Sequence, residues 1–373
     1  MRVVDKTFYG VSALLIGVLL LIVLAGVFGA APLRVALAIV GLVLFFKALS
    51  LLLRARRVLG RNRWRSLRAH FGWGDGIDEL ARRLDLPPAT LLAHTPSYRR
   101  VAIPKRDGAM RQLDIPDAAT KQLQRRILRR LLARLKAHPA AHAYERGRAV
   151  ATNAAPHVGR QVVIKLDVRD FFASTGAARV QRYFQAIGWN RQAAALLTAL
   201  VTHEGRLPQG TPTSPRLANL INIGLDDSIA RYVKHRRGTY TRYADDLTIS
   251  FPEDWPRHIR SLVQQIRHVA RACGYRLHGG RKLGIFRRHQ RQQVCGVIVN
   301  DKPALPRELR RRLRAARHAL ATQRPASWTA AQLGGWAAYE RMIAAVPVPE
   351  AAPPRARQKR WRRHLNEPHR KLG

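Results

Sequence analysis

Two adjacent carboxylates, Asp245 and Asp246, sit in the run Tyr240-Thr241-Arg242-Tyr243-Ala244-Asp245-Asp246-Leu247-Thr248-Ile249-Ser250. The residues on both sides are aromatic and β-branched, which predicts two strands meeting at a turn that carries the acidic pair. A third carboxylate, Asp167, closes another apolar strand, Val162-Val163-Ile164-Lys165-Leu166-Asp167. If folding gathers the three, they repel one another unless cations sit between them. Two Mg²⁺ ions shared by Asp167, Asp245 and Asp246 would remove that repulsion, since hard cations take oxygen ligands. A metal pair of this kind clamps an attacking hydroxyl and a leaving pyrophosphate.

The 373 residues include 67 Lys and Arg against 23 Asp and Glu, a formal net charge of +44. That imbalance asks for a polyanion partner. A ribosome-like binder or a membrane-surface patch would share it, but basic residues run through nearly every segment after Leu53, as in a protein that wraps nucleic acid. Cys273 and Cys295 are the two cysteines. They are too few for a four-ligand zinc site and, far apart in a long chain, indicate a reduced compartment rather than a disulfide scaffold.

Thr7 to Leu33 carries no charge, and Val35 to Leu53 carries only Lys47. Each run is long enough to cross a bilayer as helix. The short link at Pro32 predicts a two-span transmembrane hairpin over residues 1–55. Arg2 and Lys6 precede it, Arg54, Arg56, Arg57, Arg61, Arg63 and Arg65 follow it, and only Arg34 lies at its tip. That bias predicts a two-pass protein of the bacterial inner membrane with both termini cytoplasmic. A cleaved signal peptide is the competing reading, against which the apolar core is too long.

Residues 56–97 read as a basic, mostly helical connector, with Asp75 or Asp78 capping a helix through Leu80 and Leu84 that stops at Pro87-Pro88. Tyr98 to Pro116 predicts a β-hairpin turning at Arg106-Asp107-Gly108-Ala109, with Lys105 and Arg111 facing each other across it. Leu123, Ile127, Leu128, Leu131, Leu132 and Leu135 keep helical spacing and predict a long helix ended by Pro139. A basic helix with Leu309, Leu313 and Leu320 on one stripe is expected from Arg307 to Gln323, and the tail over 346–373 is basic.

The order of the blocks carries more than any one of them. Asp167 on its strand, then Leu207-Pro208-Gln209-Gly210-Thr211-Pro212-Thr213-Ser214-Pro215 opening a helix, then Tyr243-Ala244-Asp245-Asp246, resembles the palm of a reverse transcriptase. From Tyr98 to Tyr339 the chain is similar to bacterial retron reverse transcriptases. Thr152-Asn153-Ala154-Ala155-Pro156-His157 fits their NAxxH signature, and Ala141-His142-Ala143-Tyr144-Glu145-Arg146-Gly147-Arg148 precedes it as in that family. Val294-Cys295-Gly296 stands where retron enzymes carry Val-Thr-Gly, with Cys295 in place of the threonine.

The resemblance implies an α+β right-hand polymerase: fingers and palm with an antiparallel sheet over 98–300, a thumb over 301–345, all preceded by the transmembrane hairpin. It implies that Asp167 and Asp245 bridge both metals and that Asp246 is a weaker ligand. Phe172 would pack beneath the incoming sugar and leave no room for a 2′-hydroxyl. Lys105 and Arg111 would grip the triphosphate, and Gln209 and Gly210 would lie on the nascent base pair. Lys282 would stand near the leaving pyrophosphate as a general acid, with Arg281 as its rival. Asn153, His157, Val294, Cys295 and Gly296 would meet RNA, His157 either bonding to it directly or fixing the turn.

The implied activity is RNA-directed DNA polymerisation from dNTPs. It would copy a structured noncoding RNA into single-stranded DNA (msDNA) from an RNA 2′-hydroxyl, within an antiphage defence system. The hairpin would be a fused membrane anchor or effector. Partners would be the RNA and its DNA product, the inner membrane, and a second copy or an accessory effector. A non-retron defence or group II intron-like reverse transcriptase is the alternative enzyme. A membrane-tethered RNA-binding scaffold without turnover is the alternative of another class, and three converging carboxylates count against it.

Overall fold

The structure, a computed structural model, describes residues 74–104, 108, 110–280 and 283–348. These fall into two compact units. The first joins residues 74–81 to residues 181–197. Its link is Asp75, whose N–H donates to Gly188 O (2.9 Å) and whose carbonyl accepts from Asn190 N (3.0 Å). Gly74 is required there, because a Cβ would lie 2.7 Å from the Gly188 oxygen. Helix α1 (Ile77–Leu84) carries Asp78 and Glu79 in its first turn and Arg82 and Arg83 in its last, matching the helix dipole at both ends.

The second unit takes in the described residues of 82–180 and 198–348. After α2 (Pro88–Ala93), strands β1 (Tyr98–Pro104) and β2 (Met110–Pro116) pair antiparallel from Tyr98↔Pro116 to Pro104↔Met110. Helix α3 (Ala118–Ile127) starts where the Asp117 carboxylate accepts from Thr120 N–H at 2.7 Å. It runs on as a π-helical turn over Leu128–Leu132, so the regular helix stops short of Leu135 and of the expected end at Pro139. Helix α4 (Val150–Ala154) passes through a 3₁₀ turn, Ala155–His157, into β3 (Val162–Asp167). In chain order α5 (Ala177–Ala186) and α6 (Arg191–Val201), most of each belonging to the first unit, precede α7 (Ser214–Ile221), α8 (Ile223–Lys234), β4 (Thr239–Tyr243) and β5 (Asp246–Phe251). Helix α9 (Pro256–Ala272), β6 (Gly284–Arg287), the short pair β7 (Gln293–Val294) and β8 (Val297–Ile298), α10 (Arg307–Ala321) and α11 (Ala330–Ala345) complete the order.

Strands β4, β5, β3 and β6 form one antiparallel sheet in that order. The two inner strands share one apolar face, where Val162, Ile164 and Leu166 of β3 stand beside Phe251, Ile249 and Leu247 of β5, all buried, while Val163, Thr248 and Ser250 are buried on the other. A second core joins α4, the β7–β8 pair and the last two helices through Ala154, Val294, Val297, Leu313, Leu333 and Ile343, with Trp328, Trp336 and Tyr339 packed against it.

A charged pair lies inside this unit. Arg242 and Asp226 are both fully buried. The guanidinium donates to Asp226 through Nε (2.8 Å) and Nη2 (2.6 Å), and Tyr240 Oη donates to the same carboxylate at 2.8 Å. Nη1 donates to Asn219 Oδ1 (3.0 Å) and to the Ala244 carbonyl (3.2 Å). Two ions are thereby removed from water with nearly every polar atom satisfied.

The expectation of a two-pass inner-membrane protein is corrected here. Among the described residues no helix is long and apolar enough to cross a membrane. The longest of them, α9, has 17 residues and an apolar stripe of Ile259, Leu262, Val263, Ile266 and Ala270, with arginines on its other faces. At 1.5 Å per residue it extends about 26 Å, short of the ~30 Å hydrocarbon layer. The runs that suggested the spans, within 1–55, lie outside the described residues, as does most of the 346–373 tail.

Arg242→Met should cost about 3–5 kcal/mol, because it leaves the Asp226 charge buried without its partner. Arg242→Met/Asp226→Leu should recover much of that loss. Urea midpoints of the three chains check this, and an unchanged midpoint in the single variant would contradict it.

Candidate active site

Strands β4 and β5 pair as far as Tyr243↔Asp246, which leaves Ala244 and Asp245 as a two-residue turn. Ala244 takes a left-handed conformation, φ +57°. Its carbonyl is the one held by Arg242, so the buried ion pair fixes the backbone that presents the acidic doublet. On the other side of β5, Asp167 is the direct register partner of Asp246. Val168 N–H donates to Asp245 O at 3.0 Å. Backbone pairing alone therefore brings Asp167, Asp245 and Asp246 to one end of the sheet.

His278 stands at the same end. Its N–H donates to Asp167 O (2.8 Å), and its Nε2 lies 3.3 Å from Asp167 Oδ1. Nothing in its sequence spacing marks it; only the run 276–278 returning beside the end of β3 puts it there. The donor set suits a hard divalent cation, because every candidate ligand offers carboxylate oxygen. Among the described residues, however, no three His, Cys, Asp or Glu side chains are gathered closely enough to hold a metal ion by themselves.

Phe172 is half-buried after the β3 strand, its ring 5.5 Å from Phe171 and 6.4 Å from Tyr144. Phe171 in turn stacks on Tyr275, with ring centres 5.6 Å apart, and the Arg242 guanidinium carbon lies 5.5 Å from its centre. Arg111 is exposed on β2 and pairs with Ile103. Lys105, expected opposite Arg111, lies outside the described residues, as do Arg281 and Lys282. The Gln209 carbonyl accepts from Asp114 N–H at 2.8 Å, which ties its segment to β2. Gly210 follows at φ +113°, where a Cβ would press to 3.3 Å from the Asp114 oxygen. Glycine is the residue that fits both the angle and the contact.

Asn153 and His157 are fully buried. His157 Nδ1 bonds to Ser250 Oγ (2.7 Å) and Nε2 to Thr241 Oγ (2.8 Å), so the imidazole ties the 3₁₀ turn to β5 and β4. Of the two readings open for His157, fixing the turn is the one this geometry favours. Burial, then Arg160 and His142, hold its pKa down at about 3, so the ring is neutral. His142, hydrogen-bonded to Thr152, is held at about 4 by burial and then Arg148.

Asn153 Nδ2 donates to Cys295 Sγ at 3.3 Å, so the two signature segments meet. Cys295 and Gly296 are the two turn residues between β7 and β8, at φ +46° and +87°. Both angles are positive, as a two-residue primed turn requires. Burial and then the nearby Asp246 push the Cys295 thiol up to about 12, so it is no nucleophile. Val294 is buried in the second core.

With this arrangement in view, residues 103–292 match the family described as Reverse transcriptase (RNA-dependent DNA polymerase), and the chain belongs to that family. Members of it work in general with divalent metal ions. Among the relatives it resembles are retron enzymes. The chain is 38% identical over 283 residues to the Retron Mx65 reverse transcriptase of Myxococcus xanthus, covering 71% of this chain and 65% of the relative. It is 36% identical over 279 residues to the Retron Mx162 reverse transcriptase of the same organism, covering 66% and 57%. It is 30% identical over 252 residues to the Retron Ec86 reverse transcriptase of Escherichia coli, covering 64% and 75%. The matched region thus spans less than two thirds of the length of the two Myxococcus relatives.

Both buried histidines have folded pKa values below the ordinary 6.5, so the unfolded chain takes up these protons first. Their contribution to stability is intact above about pH 6.5 and is lost as pH falls toward 4 and then 3, at about 1.4 kcal/mol per pH unit for each proton. His157→Gln should lower stability at neutral pH and remove one of the two slopes from urea midpoints taken between pH 7 and 4.5. An unaltered slope would contradict neutral burial.

Proposed function

We propose that this chain is a retron reverse transcriptase, an RNA-directed DNA polymerase that extends a primer on an RNA template with dNTPs. The observation that carries the reading is the pairing of Asp167 with Asp246 at the sheet end where Asp245 emerges from its turn. Asp167, Asp245 and Asp246 would hold two Mg²⁺ ions, which supply activation of the primer hydroxyl and charge balance for the transferred phosphoryl group. His278, already on the Asp167 carboxylate, orients it toward the shared position. Phe172 closes the space beneath the sugar against a 2′-hydroxyl. Arg111 and Lys105 hold the triphosphate, Arg by a bidentate grip, while Gln209 and Gly210 support the nascent base pair. Lys282 is assigned to the leaving pyrophosphate. Asn153, His157 and Cys295 act on RNA by setting the backbone of their turns.

Two basic concavities support binding of a nucleic-acid backbone. One, of about 760 Å³, is lined by Arg169, Arg267, Arg271 and Arg276 and, among the described residues, by no acidic one. The other, about 350 Å³, lies along one face of α10, where Arg307, Arg310, Arg314 and Arg317 recur at helical spacing, with Glu340 across from them. Such rows track phosphates and recognise a duplex by its shape. The finer assignments follow the same family reading: fingers and palm over 98–300, a thumb over 301–345, and a structured noncoding RNA copied from its own 2′-hydroxyl into msDNA for antiphage defence. Their support is the meeting of the NAxxH and Val-Cys-Gly segments and the retron relatives.

Purified protein supplied with RNA template, primer, Mg²⁺ and dNTPs should extend the primer, and Asp245→Asn should lower the rate by at least about a thousandfold. Equal extension by that variant would defeat the reading. Phe172→Ala should admit rNTPs, measured as the ratio of kcat/KM for dNTP and rNTP. An unchanged ratio would reduce Phe172 to core packing.

A further inference from the structure

Tyr144 is a bulky residue held in a left-handed conformation, φ +61°, with 53% of its surface exposed. An apolar ring in the open on a strained backbone has no folding reason to be there, and such outliers collect where a site needs a side chain aimed outward. Its ring centre lies 6.4 Å from that of Phe172, the two planes inclined at 52°. Partial burial and the nearby Asp245 carboxylate raise its phenol, while the Arg111 guanidinium acts in the other direction, so both groups are within electrostatic reach of it.

The conformation is imposed from both sides. The Ala143 carbonyl accepts from Asn219 Nδ2 at 2.7 Å. The Glu145 carboxylate is gripped by Arg216 and accepts from Asn219 Nδ2 at 2.8 Å. Asn219 Oδ1 in turn accepts from Arg242, the same guanidinium that holds the Ala244 carbonyl before the acidic doublet. One buried amide thus clamps both neighbours of Tyr144 and ties them to the catalytic turn.

We propose that Tyr144 is a second aromatic contact for the incoming deoxynucleotide, a wall inclined to the floor that Phe172 provides, positioned by Asn219 and Glu145. The assignment rests on the polymerase reading given above. The ring supplies the contact, and its hydroxyl, which makes no hydrogen bond among the described residues, is dispensable.

The test titrates dNTP in primer extension on an RNA template, and melts the full chain with primer–template and Mg²⁺, with and without dNTP. Tyr144→Phe should keep the wild-type KM and the dNTP-dependent rise in Tm. Tyr144→Ala and Tyr144→Gly should raise KM about tenfold, the loss expected for one aromatic contact, with kcat within about threefold, and should lose the rise in Tm. Without nucleotide, Tyr144→Gly should melt above Tyr144→Ala, because glycine accepts the left-handed angle. An unchanged KM in Tyr144→Ala, or kcat falling in step with Tm in both variants, would overturn the proposal. If the wild-type chain extends nothing, the polymerase reading fails on its own account. Tyr144 is then judged by melting: a dNTP-dependent rise kept by Tyr144→Phe and lost by Tyr144→Ala sustains the contact, and its absence or persistence in all three rejects it.

Discussion

The pairing of β3 with β5 is the constraint on which the site depends. Six residue pairs from Val162↔Phe251 to Asp167↔Asp246 run two strands side by side, apolar at every second pair, until their last members are both carboxylates. A slip of one residue would send every side chain of one strand to the opposite face. Burial of Ile164, Leu166, Leu247 and Ile249 forbids that slip, so core packing fixes the spacing of the acidic groups. Charge that would repel is collected at one end by hydrophobic pairing along the remainder of the strands.

Behind that end lies a second electrostatic arrangement of opposite character. Arg242 and Asp226 neutralise each other in the interior, and the guanidinium has donors to spare for Ala244 and Asn219. A lysine could not make this set of contacts, since it lacks the planar fork. Through Asn219 the network reaches Ala143 and Glu145, and Arg216 extends it to the Leu132 carbonyl at the end of the π-helical turn. The turn that presents Asp245 and the loop that presents Tyr144 are therefore set by one hydrogen-bonded cluster. His157 does similar work on the far side of the sheet, clamping β4 and β5 through two hydroxyls.

Local features were legible in the sequence. The β1–β2 hairpin, the turn before Asp246 and the helix over Leu123 and Ile127 each follow from a few nearby residues, their turn chemistry or their apolar spacing. The extent of the helix after Asp117 was overread, because leucine spacing continues through a stretch that the backbone closes with a wider turn. The burial of His157 was not legible, since its partners lie 84 and 93 residues away. The same holds for His278, which reaches Asp167 only when the sheet forms. Arg242 looked like one more positive charge among 67, and nothing near it named Asp226 as its partner. The left-handed angle of Tyr144 likewise depends on Asn219, which is far along the chain. Long apolar runs signalled membrane spans by length alone, a property that none of the described helices has.

The central claim is that this sheet end is a binding site for a pair of divalent ions. Electron paramagnetic resonance of Mn²⁺ in the presence of chain-terminated primer–template and dNTP measures it directly. About two ions should bind per chain, coupled by their proximity, and that signal should be lost in Asp167→Asn. No stoichiometric binding, or binding that survives Asp167→Asn with its coupling intact, would contradict it.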